Sequence, residues 1–120
     1  MATRAEVIQH IRSYSDVEDM GDGGFKVVYS FDDGRSQLLF MKVLDDLLLM
    51  SSPFAHQDDI TSTKAIDLAV IYGVGMVGEY YVLKNVLHIE DIDESEIVNG
   101  AGLLAVRADT LEEQVGGDRF

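Results

Sequence analysis

The chain has no cysteine, no tryptophan, one proline and only four lysines among its 120 residues. Without cysteine there is no disulfide, no thiol nucleophile and no cysteine-held zinc, and a reducing compartment is the natural setting. A single proline with 47% hydrophobic residues is far from the profile of a disordered chain. No stretch approaches the ~18 consecutive apolar residues of a membrane-spanning helix, and the opening MATRAEVIQHIR has no apolar core ahead of a small-residue cleavage site. A cytoplasmic location is the expectation.

What is abundant is acid. Net charge is −13, aspartate outnumbers glutamate fourteen to eight, and the nine basic residues are scattered. Affinity for phosphate comes from lysine and arginine displacing condensed counterions, so nucleic acid and anionic membranes are poor partners. The acidic surface fits solubility, adaptation to salt or attraction to a basic partner, with solubility the plainest of the three.

The length suits one domain spanning residues 1–120, with no repeat or linker. Thr3 and Glu6 form a capping-box pattern ahead of Val7, Ile8, Ile11 and Tyr14, predicting a first helix near residues 4–14. Past Gly21-Asp22-Gly23-Gly24 the period becomes two at Phe25, Val27, Tyr29 and Phe31, a half-buried strand. Residues 36–43 and 47–52 read as two more strands, with Pro53 ending the second. Thr61 or Thr63 caps a second helix that Gly73 ends. Tyr80–Leu83 and Val86–Ile92 read as strands either side of a Lys84-Asn85 hairpin turn. Asp93 then caps a last helix along Ile97, Ala101, Leu104, Ala108, Leu111 and Val115, stopped by Gly116-Gly117. The expected fold is α+β, an antiparallel five-stranded sheet with three helices in the order α-β-β-β-α-β-β-α.

Leu38-Leu39-Phe40-Met41, Leu47-Leu48-Leu49-Met50 and Tyr80-Tyr81-Val82-Leu83 are apolar on both faces, where a sheet covered on one side alternates. Either the three helices divide between two faces, or a second polypeptide covers part of the sheet. The second reading makes Leu39, Met41, Leu48, Met50, Tyr81 and Leu83 the expected partner-binding surface, with methionines suited to adaptable contact.

Local strings resemble the YbjN-like family and the related class I type III secretion chaperones. They are Leu47-Leu48-Leu49-Met50-Ser51-Ser52-Pro53, the segment Val86-Leu87-His88-Ile89-Glu90-Asp91-Ile92-Asp93 leading into Glu94-Ser95-Glu96-Ile97-Val98, and the tail from Ala108 to Asp118. The resemblance implies a small homodimeric α+β protein that binds other proteins, as secretion chaperones hold unfolded stretches of effectors.

Other motifs have plainer readings. Gly73-Val74-Gly75-Met76-Val77-Gly78 spells G-x-G-x-x-G, but the dinucleotide site needs a strand before and a helix after, and here the predicted order is reversed. The glycines are expected to form a helix-to-strand bend. Asp32-Asp33, Asp45-Asp46 and Asp58-Asp59 lack calcium-loop spacing and read as turn acids. His10, His56 and His88 stand apart, without zinc spacing, and His88 shares a strand face with Val86. No nucleophile elbow surrounds Ser51-Ser52. The expectation is a protein-binding module, not an enzyme, with no cofactor or metal. Two alternatives remain: a small-molecule-binding domain or minor enzyme with a pocket between the last helix and the sheet under Gly100 and Gly102, or an acidic inhibitor whose carboxylates mimic nucleic acid.

Overall fold

The Thr3 hydroxyl accepts from the Glu6 amide at 3.2 Å while the Glu6 carboxylate accepts from the Thr3 amide at 3.1 Å, so the capping box forms and helix α1 runs Arg4–Arg12. In the computed structural model, which describes residues 2–115, the chain continues as β1 (Val17–Gly21), β2 (Gly24–Ser30), β3 (Ser36–Val43), β4 (Leu47–His56), α2 (Ser62–Ala69), β5 (Gly73–Val77), β6 (Tyr80–His88), a 3-10 turn (Ile89–Asp91) and α3 (Glu94–Val115). The class is α+β with three helices and an antiparallel sheet, as expected. The sheet has six strands instead of five, in the order β1-β2-β3-β4-β6-β5.

Two strands are additional, β1 and β5, while the two expected at Tyr80–Leu83 and Val86–Ile92 are the single strand β6. Asp22 and Gly23 both have positive φ, 53° and 77°, which is the two-residue hairpin turn whose twist matches the flanking strands. Only Val17 of β1 pairs into the core, and the residues after it are exposed, so no alternation marks this strand. Gly23 is also sterically required, because a Cβ there would lie 2.6 Å from the carbonyl oxygen of Val43.

Three boundaries differ from the sequence reading. β4 continues through Pro53 to His56, with a register shift between Pro53 and Ala55. Its ladder with β3 ends at Phe40↔Ser51, and a bulged segment with one remaining partner is where a sheet tolerates proline. A buried side-chain clip takes over beyond that point. The Gln37 amide donates to the Ser52 hydroxyl at 3.0 Å and to the Pro53 carbonyl at 2.5 Å, while Ser52 donates to the Leu38 carbonyl at 2.6 Å. β6 is one strand from Tyr80 to His88, because period two persists through Lys84-Asn85, and the hairpin turn lies instead at Gly78-Glu79 between β5 and β6. α2 ends at Val70 rather than Gly73; Thr61 is its cap, accepting from the Lys64 amide at 3.1 Å.

Asp93 starts α3, accepting from the Ser95 hydroxyl at 2.6 Å and the Glu96 amide at 3.0 Å. These two hydrogen bonds, the Ser95 one first, hold its carboxyl below the ordinary 3.8. Ile97, Ala101, Leu104, Ala108 and Leu111 of α3 are buried, the stripe read from the sequence. The Gly116-Gly117 stop and the end of the resembling tail lie outside the described residues.

The core joins Val7 and Ile11 of α1, Ala65 and Ala69 of α2 and the α3 stripe to one face of the sheet. The helices do not divide between the two sides: all three lie on the same one. The opposite face carries no helix among the described residues.

Candidate protein-binding surfaces

Strand β3 alternates intermediate and buried along its whole length, with Gln37, Leu39, Met41 and Val43 turned toward the helices. Register carries that face across the sheet to Leu48 and Met50 on β4 and Leu83 on β6. Leu39, Met41, Leu48, Met50 and Leu83 are therefore all buried, none more than 2% exposed. Tyr81 is half-buried against the same core, its ring tilted over Phe54 at 6.4 Å. These six residues do not form an outward surface. They hold the sheet to its own helices, and the expected face assignment is corrected.

The uncovered apolar side chains are their neighbours one position away. Lys26↔Phe40↔Ser51↔Lys84↔Gly73 form one row across the helix-free face, and Gly24↔Lys42↔Leu49↔Val86 form the next. Phe40 and Leu49 are half-buried and Val86 is exposed. With Met20 at one end they floor a groove of about 540 Å³, with Lys42 and Lys84 on its sides. His88 faces this side too, exposed beyond Val86.

A second apolar region lies where α2 turns into β5. Ile66, Val70, Ile71, Met76 and Val77 are exposed, Ile71 to 86%. Val70 and Ile71 face Leu103 and Val106 of α3 across a groove of about 440 Å³. Residues 68–78 carry no charge, and β5 is an outermost strand of the sheet with neither charge nor proline to discourage pairing. Val70 has φ 58° and ψ −99°, a strained conformation for a β-branched side chain. Val70→Gly is expected to raise stability by about 1 kcal/mol, seen as a higher urea midpoint at unchanged m.

The remaining motifs resolve structurally. The G-x-G-x-x-G stretch is strand β5 and the turn after it, not a bend: a Cβ on Gly75 would lie 2.7 Å from Cδ of Lys84, so the glycine makes room for the lysine stem. Space under the α3 glycines is filled. A Cβ on Gly100 would meet Met50 Cε at 3.2 Å and one on Gly102 would meet the Tyr29 hydroxyl at 3.1 Å, so no pocket lies there and close helix-to-sheet packing explains both glycines. Asp32-Asp33, Asp45-Asp46 and Asp58-Asp59 all fall in turns or bends. Among the described residues no group of three or more histidine, aspartate or glutamate side chains is placed to hold a metal ion, and no helix is long and apolar enough to cross a membrane. His10 meets Glu94 at 3.2 Å, tying α1 to α3, and His56 meets Glu79 at 3.2 Å.

Perturbed ionisations here have structural causes. Burial, with a contribution from Tyr29, raises the Tyr14 phenol. Asp19 is held low by the Gly21 amide and by Arg12. Sequence reasoning missed Phe40, Leu49 and Val86, and the signal that would have found them is lysine: Lys26, Lys42 and Lys84 mark the phase of the outward face on three strands. No family model matches the chain, and no curated protein matches it.

Proposed function

We propose that the chain is a non-enzymatic protein-binding module, chaperone-like or regulatory, that works as a homodimer. One observation carries this reading. In a molecule of net charge −13, seven of the eleven large hydrophobic side chains exposed among the described residues gather around an eleven-residue segment without charge, residues 68–78. Two copies can meet there without setting carboxylate against carboxylate, and β5 offers each the unpaired strand edge the other needs, as a two-fold contact requires. The dimer contact thus moves from the strand faces expected from sequence to the end of the sheet. The resemblance to YbjN-like proteins and secretion chaperones points in the same direction.

Sedimentation equilibrium tests the dimer. The native chain is expected at twice 13.3 kDa, and Ile71→Asp at the monomer mass with an unaltered circular dichroism spectrum, since Ile71 is exposed. A native chain that stays monomeric at its highest soluble concentration rejects the proposal.

A further inference from the structure

The helix-free face is chemically unlike the rest of the molecule. Three of the four lysines, Lys26, Lys42 and Lys84, stand on it, in a chain with 22 acidic and nine basic residues. Glu18 lies directly opposite Lys26 and offsets it. Lys42 and Lys84 have no carboxylate at ion-pair distance among the described residues, and both are held in place. The Lys42 ammonium donates to the Asp22 carbonyl at 2.5 Å. The Lys84 stem lies over Gly75, with Nζ 3.5 Å from where a Cβ would stand. They sit two strands apart, about 10 Å across the sheet, with Leu49 of β4 and the neighbouring Phe40 and Val86 between them.

We propose that this groove docks an acidic amphipathic peptide segment of another protein, apolar side chains on Phe40, Leu49 and Val86 and carboxylates on Lys42 and Lys84. The inference rests on the protein-binding reading above but not on the homodimer. Charge complementarity selects the occupant. At physiological ionic strength the screening length is about 8 Å, so a segment in the groove senses these two ammonium groups against a single lining acid, Asp22, while the carboxylates of the helical layer lie beyond the sheet. A second copy laid face to face on this surface would set lysines against lysines. An open groove on a sheet face also lacks the enclosure that small-molecule sites provide, whereas a peptide can lie along it, and Met20 at the rim can repack around different side chains.

The test is a fluorescence anisotropy titration at physiological salt with two labelled synthetic peptides of helical pattern, one of leucine and glutamate and the other with every glutamate replaced by lysine. Saturable binding of the acidic peptide, about ten-fold or more tighter than the basic one, is expected. Lys42→Glu with Lys84→Glu should abolish that preference. Lys84→Met keeps the stem, removes the charge and should weaken binding by itself, which covers any misfolding of the double variant. Sedimentation on the same samples separates the two proposals: the dimer mass should persist in both lysine variants. Absence of binding, equal binding of the two peptides, or unchanged affinity in Lys84→Met overturns the docking proposal. A loss of dimer mass in the lysine variants would place a second copy on this face and overturn it as well.

Discussion

Leu48→Asp is expected to abolish the folded state, while Leu49→Asp, one residue along the same strand, leaves a folded protein. Leu48 is fully buried between the sheet and the helices. Truncating such a leucine costs about 2–5 kcal/mol, and leaving a carboxylate there without a partner adds roughly 3–5 kcal/mol. The sum reaches the whole stability of an ordinary domain, about 5–15 kcal/mol. Leu49 belongs to the opposite face, with water on one side and Lys42 opposite it in the ladder, so Leu49→Asp should change stability by no more than about 1 kcal/mol. Urea unfolding followed by circular dichroism reads both. The same result for the two variants would mean that the faces of β4 are assigned incorrectly.

Arg35→Leu is the second large effect, about 3 kcal/mol of destabilisation at neutral pH. Arg35 follows the turn between β2 and β3 and reaches the last turns of α3, where its Nε and Nη2 donate to both oxygens of Asp109 at 2.8–3.2 Å. Glu113 lies 3.2 Å away, and Glu112, only 2% exposed, lies 3.9 Å away. Removing the guanidinium leaves three carboxylates together at the end of a helix, where the macrodipole already disfavours negative charge. Arg35→Lys should recover only part of the loss, because one ammonium cannot fork across both Asp109 oxygens. Thermal unfolding of the three proteins ranks them, and a lysine variant equal to the native chain would rule out the forked geometry as the source of stability.

Much of the fold was readable because local chemistry and global packing agree. The capping box at Thr3, the cap at Asp93 and the apolar stripe of α3 each carry their own signal and each appears where it was expected. β1 was invisible because it is a mostly solvated edge strand: it contributes Val17 to the core and is identified by the positive φ of Asp22 and Gly23. Pro53 and the Lys84-Asn85 step misled for a common reason. Both are polar or breaking residues inside strands whose neighbours supply what they lack, a bulge and a side-chain clip for Pro53 and continuous flanking ladders for Lys84. The site was legible in kind and not in position. Strands apolar on both faces implied more greasy surface than the helices cover, and among the described residues one face carries no helix. Which face it is cannot be decided from hydrophobicity alone when both phases are apolar, as Leu38 and Phe40 against Leu39 and Met41 illustrate; the outward phase of β3 is marked only by Ser36 and Lys42 at its ends.

The strand order has a consequence for synthesis on the ribosome. β6 fills the place beside β4, yet β5 leaves the exit tunnel first. At ordinary elongation rates of about 5–20 residues per second, roughly a second passes in which the long β4 edge waits uncovered and the uncharged β5 has nothing to join. Should any moment in the life of this molecule invite misassembly with its own nascent copies, that interval is the one.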